Sequence, residues 1–216
     1  MLHQRFKDIV FYGIGFYSFL ARPFLRIKFR NSKNFYINVG CGEKGISGFI
    51  NIDANPLRPK ILLYDVRLKL PFSDDSATII YVSNILEHFY LDELANILKE
   101  FRRIMRPGGI LRIVVPDLEK SISSYIQKDS QFFSDFPRNF KSIGGRFVNL
   151  IFCDSQHKTA FDFNFIKELL AAVGFSSKNI YKKSYGQSLM AKEIYARIAP
   201  QEEHYKNRCL FIEAIK

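Results

Sequence analysis

Five short runs of β-branched, aliphatic and aromatic residues recur between residues 35 and 115: 35–39 (FYINV), 49–53 (FINID), 61–64 (ILLY), 78–82 (TIIYV) and 110–115 (ILRIVV). Each has the length of a strand. The last four are read as free of charge on their apolar face, as a sheet covered by helices on both sides requires. Between the fourth and fifth runs Leu91, Leu94, Leu98, Phe101 and Met105 share a helical face. Asp92 and Glu93 fall in its first turn, Arg102, Arg103 and Arg106 in its last, and Pro107-Gly108-Gly109 stops it. A second helix is expected over 162–173, capped by Asp162 and ended by Gly174. Its apolar side comprises Phe165, Ile166, Leu169, Leu170 and Val173. Strand, helix, strand in succession predicts an α/β fold with a parallel sheet.

Two more strands are expected near 180–185 and 210–214, joined by a polar segment. Residues 117–160 are rich in aromatics but lack sustained periodicity. They read as an insertion above the carboxyl ends of the strands, where such sheets bind ligands. The chain thus divides into a segment 1–34 and a domain 35–216.

Segment 1–34 holds much of the excess charge. The whole chain has 32 Lys and Arg against 21 Asp and Glu, a net +11, and seven of the basic residues lie here beside the single acid Asp8. They bracket an uncharged run, 9–21 (IVFYGIGFYSFLA). As a helix that run reaches about 20 Å, short of the roughly 30 Å needed to span a bilayer. Two readings stay open. One is a helix covering a face of the domain. The other is an interfacial segment within residues 5–30, with Phe11, Phe16, Tyr17, Phe19 and Phe24 at the headgroup boundary and arginines facing anionic lipid. Nucleic acid is not an expected partner, because basic residues elsewhere are interspersed with acids. Cys41, Cys153 and Cys209 are scattered and form no ligand cluster with histidine, so no metal is expected and a reducing, cytoplasmic setting is.

The candidate ligand edge begins at 38–45 (NVGCGEKG), where Gly40, Gly42 and Gly45 directly follow a strand. Such glycines let a chain turn sharply and a ligand approach the backbone, although structural turns use them as well. Asp53 ends the second strand at the same edge, where its carboxylate could accept hydrogen bonds from ribose hydroxyls. Asp65 follows the third; it and the Val66 amide could meet an adenine edge, or Asp65 could be a solvated turn acid. After the fourth strand comes 83–89 (SNILEHF). Its His88, and His157 of 157–162 (HKTAFD), are the candidate general bases, each with a purely structural alternative. His3 and His204 have no comparable setting.

The runs INVGCGEKGISGFINID, LPFSDDSATIIYVSNILEHF and LKEFRRIMRPGGILRIVVPD resemble the class I S-adenosylmethionine-dependent methyltransferases. More narrowly they are similar to a small bacterial group associated with surface-polysaccharide synthesis. The resemblance implies a Rossmann-like seven-stranded sheet with an antiparallel final strand, and S-adenosylmethionine as cofactor. It implies that Gly40, Cys41 and Gly42 line the methionine moiety, Asp53 holds the ribose, Asp65 and Val66 contact adenine, and Ser83 and Asn84 lie beside the sulfonium. Methyl transfer to oxygen or nitrogen follows, with a small molecule, surface glycan or lipid-linked sugar as acceptor. Two departures stand out. Only ten residues separate Gly42 from Asp53, where such folds usually have about twenty with a full helix, so shortened first crossovers are expected. Asn84 stands where relatives often have histidine. A cofactor-binding scaffold without catalysis is the alternative, and a nicotinamide dehydrogenase is disfavoured by the same short spacing.

Overall fold

Parallel pairing governs the architecture. The computed structural model describes residues 4–43, 45–58 and 61–216. Strands β1 (Phe35–Val39), β2 (Ile50–Asp53), β3 (Leu62–Leu63), β4 (Ala77–Ser83) and β5 (Met105–Pro116) lie parallel, followed by β6 (Ile180–Lys183) and β7 (Cys209–Ile215). The seven-stranded order is β3-β2-β1-β4-β5-β7-β6, and β7 runs antiparallel to both neighbours. The mostly parallel sheet with an antiparallel last strand is therefore as expected.

Helix α2 (Leu91–Ile104) buries Leu94, Ile97, Leu98, Phe101 and Ile104. Each such side chain contributes roughly 1.5–3 kcal/mol by leaving water. The stripe differs from expectation at its ends: Leu91 is exposed, and Met105 and Arg106 already belong to β5. The chain becomes extended at Met105, before the Pro-Gly-Gly turn. Asp162 caps α5 (Phe163–Ala172) as predicted, accepting from the Phe165 amide at 2.8 Å.

Among the described residues no helix occupies the β1–β2 or β2–β3 connection, so the first crossovers are indeed turns. Three segments depart from the sequence reading. Residues 117–160 contain α3 (Leu118–Ile126), capped by Asp117, and α4 (Ile143–Phe152), capped by Ser142. The supposed polar link before β7 contains α6 (Lys192–Glu202). These helices are short, and their polar and aromatic residues blur the apolar period. Lastly, α1 (Gln4–Phe29) runs through the arginines well past the uncharged run, although among the described residues no helix is long and apolar enough to cross a membrane.

β5 also carries a charge that the pattern reading overlooked. Arg112 is 0% exposed, because both faces of this central strand are covered. Its Nε and Nη2 donate to Glu202 at 2.5 and 2.6 Å, and its Nη1 donates to Glu213 at 3.0 Å. The second acid adds a negative charge, offset by donors from Tyr195 Oη, Ser188 Oγ and the Leu189 amide. This group ties β5, β7 and α6 together. Arg112→Met leaves two buried carboxylates without their cation, and the expected loss is about 3–5 kcal/mol at pH 7. Urea unfolding of the variant beside the parent protein at pH 7 measures it.

Candidate functional site

Register sets one edge level across three strands. Val39 pairs with Ile52 on one side and Val82 on the other, so Gly40, Asp53 and Ser83 emerge together. Gly40 and Cys41 both donate their amides to Ile52 O, at 2.8 and 3.1 Å, which folds the chain back over β2. Gly40 has φ +65°, and a Cβ there would lie 2.3 Å from Ile85 Cδ1. Only glycine suits that position.

The Asp53 carboxylate faces the bend. Oδ2 accepts from the Gly42 amide and Oδ1 from the Asn55 amide, both at 2.8 Å. Gly42 is exposed and has open space where a side chain would start. Asn51, which the sequence reading did not single out, ties the following loop down: its Oδ1 accepts from the Ile46 amide and from Asn38 Nδ2. Cys41 packs inward, and burial, reinforced by the Asp53 charge, pushes its thiol up to about 11. It is a packing group rather than a nucleophile.

At the next strand end Asp65 is buried and already engaged. Arg67 donates to its carboxylate from the backbone amide, Nε and Nη2, and also reaches Glu93 at the start of α2. The Asp65 amide donates to Ser18 Oγ of α1 at 2.9 Å. Gly15 lies so close that an added Cβ would sit 3.3 Å from Asp65 Oδ2. Ile14, Ser18, Leu25 and Phe29 form the docked face of α1. The amino-terminal helix thus covers the strand end assigned to adenine, where Val66 is also buried.

Beyond β4, Asn84 adopts a left-handed φ of +50°, a conformation asparagine tolerates better than most residues. Its Nδ2 donates to Ser83 Oγ, and its Oδ1 accepts from Cys209 Sγ of β7. The 3-10 turn Leu86–His88 comes next. The structure brings its two candidate bases together: the His88 and His157 rings meet edge to face with centroids 5.0 Å apart. Lys158 and Thr159 donate their amides to Glu87 O at 2.7 and 3.2 Å, and Thr159 Oγ1 donates to Phe89 O. Sequence reasoning did not single out Glu87, which lies between Leu86 and His88 in the same run. It is 2% exposed, and its Oε2 has no hydrogen-bond partner among the described residues. Burial drives its carboxyl up to about 8. Desolvation lowers the His157 imidazole, whose Nδ1 lies 3.1 Å from Ile151 O. His204 sits apart in a turn after α6, and His3 lies outside the described residues.

Residues 50–113, from β2 into β5, match the family model for a methyltransferase domain. Among solved structures, a SAM-dependent methyltransferase from Archaeoglobus fulgidus is 17% identical, with 92% of this chain and 94% of that one covered at a TM-score of 0.50. A candidate O-methyltransferase from Nostoc punctiforme PCC 73102 is 9% identical, with 92% and 56% covered at a TM-score of 0.51. No curated protein matches the chain. At these identities the likeness is one of fold, and the fold is the Rossmann-like class I methyltransferase arrangement.

Glu87 makes stability depend on pH with a definite sign. Its folded-state value near 8 exceeds the ordinary 4.5, so the native state holds the proton more tightly than the unfolded chain. Stability then falls as pH rises from about 5 through 8, by up to roughly 5 kcal/mol. In Glu87→Gln that fall disappears from the urea midpoint plotted against pH. Parallel profiles for the two proteins would show that Glu87 does not titrate in this window.

Proposed function

We propose that this chain is a S-adenosylmethionine-dependent methyltransferase acting on a hydroxyl oxygen of a membrane-associated acceptor, with a lipid-linked sugar as the favoured class. The observation that carries the reading is the Asp53 carboxylate turned onto the glycine bend at the level of Ser83. The methyltransferase-domain match over 50–113 supports it. The residues fit an adenosyl group: the bend of Gly40, Cys41 and Gly42 presents an open backbone position at Gly42 for the methionine part, and Asp53 offers paired acceptor oxygens for ribose hydroxyls. Val66 lies at the adenine end, where Asp65 contributes by shaping the turn through Arg67. When bound, the cofactor's sulfonium supplies an activated methyl group. The protein contributes alignment, worth up to roughly 7–11 kcal/mol of barrier. Removal of the acceptor's proton falls to the Glu87–His88–His157 group beyond Ser83 and Asn84.

Binding of S-adenosylhomocysteine tests the cofactor half of this reading. A ligand specific to the folded state raises the melting temperature by about 5–10 °C at a hundredfold over Kd. Asp53→Ala is expected to abolish most of that rise. No rise in the wild-type protein would refute the reading.

The membrane-associated acceptor is supported by the outer face of α1. Tyr12, Phe16, Phe19, Leu20, Phe24 and Ile27 are all exposed and share one side of the helix, opposite the docked face. Arg26 and Lys28 flank that side, exposed as well. Apolar side chains bordered by cations suit the boundary of an anionic bilayer. The full chain is expected to cosediment with vesicles containing anionic phospholipid and to be released by 0.5 M salt, applied as a challenge of about a 4–5 Å screening length. Phe16→Glu with Phe24→Glu, both on the solvent side of α1, is expected to lose cosedimentation while keeping the S-adenosylhomocysteine response. Equal cosedimentation of variant and parent would remove α1 as the contact.

A further inference from the structure

We infer that Glu87, His88 and His157 form a binding site for a divalent transition-metal ion, of the zinc or manganese class, that receives the acceptor's oxygen. One ring nitrogen from each histidine and a carboxylate oxygen of Glu87 lie within 4.8 Å of one another. Two imidazoles and a carboxylate on one side of an ion, with the remaining positions open, is an arrangement that catalytic metal centres use. The absence of cysteine ligands, which argued against zinc in the sequence, has no bearing on a site of this composition.

Three further features point to a ligand. Glu87 is buried to 2%, yet its Oε2 meets no donor among the described residues. A buried carboxylate oxygen left without a partner is costly unless a cation or proton joins it. A small cavity is lined by both Glu87 and His157, together with Thr159 and Phe161. His157 can supply a lone pair: its Nδ1 lies 3.1 Å from Ile151 O, and because a carbonyl only accepts, that nitrogen carries a proton and the neutral ring keeps its lone pair on Nε2.

The site is assembled from segments about seventy residues apart and braced at its base. The amides of Lys158 and Thr159 close onto Glu87 O, and Thr159 Oγ1 closes onto Phe89 O. An ion bound at about 2.0–2.2 Å holds neighbouring ligand atoms roughly 3.0–3.5 Å apart. Binding therefore draws the three side chains inward by about an ångström. These residues begin three positions after Asn84, beyond the strand end assigned to the reacting methyl group. There the ion would coordinate an acceptor hydroxyl and lower its pKa, so that the group acts on the acceptor's proton through the metal rather than as a free base, the proton passing to water. That role rests on the methyl-transfer reading above; the binding of metal does not.

The test uses full-length protein stripped with chelator and titrated calorimetrically with zinc or manganese chloride alone. Cobalt serves as a visible-absorption probe of imidazole coordination. One equivalent is expected to bind with micromolar or tighter affinity. His157→Ala and His88→Ala are each expected to weaken binding at least tenfold, and Glu87→Gln to do the same. Circular dichroism and the S-adenosylhomocysteine melting shift report whether each variant is folded; His157→Gln, His88→Gln or Glu87→Ala replaces the variant at its own position if that one is not. Absence of binding by the wild-type protein, or equal binding by the folded histidine variants, overturns the metal site. Metal binding in a protein that ignores S-adenosylhomocysteine would instead sustain the site and remove the methyl-transfer reading.

Discussion

Parallel strands carry all their carboxyl ends to one edge, and every candidate group in this protein depends on that. Because Val39, Ile52 and Val82 share a level, the residues that follow them meet at the rim without any long-range side-chain contact having to pull them there. The short turns after β1 and β2 then remain local. Ile52 O receives two amides from the Gly40–Cys41 turn, and Asp53 receives one from Gly42. The glycine bend and the acidic residue are thus one hydrogen-bonded unit. A helix between β1 and β2 is dispensable for this geometry, which is why the short spacing leaves the edge intact.

Covering both faces of the sheet has a cost, and the protein meets it in two different ways. Arg112, Glu202 and Glu213 are all fully buried, and each oxygen and nitrogen that matters has a partner from β5, β7, α6 or the turn before α6. Glu87 is also buried, but its Oε2 has no hydrogen-bond partner among the described residues and lies in a group with two histidines. Low-dielectric surroundings make the first arrangement rigid and the second unfavourable in isolation. A carboxyl kept in that condition next to the candidate reaction edge is better explained by a ligand than by packing.

The amino-terminal helix joins these themes. Its inner face meets the rim at Asp65 through Gly15 and Ser18, small residues that permit close approach. Its outer face is apolar and unpartnered among the described residues, while cations border it. The covering reading corresponds to the docked side of this element, and the interfacial proposal concerns the opposite side.

Local pattern alone determined most strands, α2, α5 with its Asp162 cap, and the edge formed by Gly40, Gly42 and Asp53, because period, capping and turn chemistry act over a few residues. Helices α3, α4 and α6 escaped notice, since short helices owe their stability to packing rather than to a clear apolar repeat. Tertiary structure alone decided that Arg112 and Glu87 are buried, that Asp65 is held by Arg67 and covered by α1, and that His157 comes to His88 across about seventy residues of chain. Burial and distant approach are properties of how elements stack. No window of sequence contains the neighbours that set a side chain's dielectric surroundings or its partners.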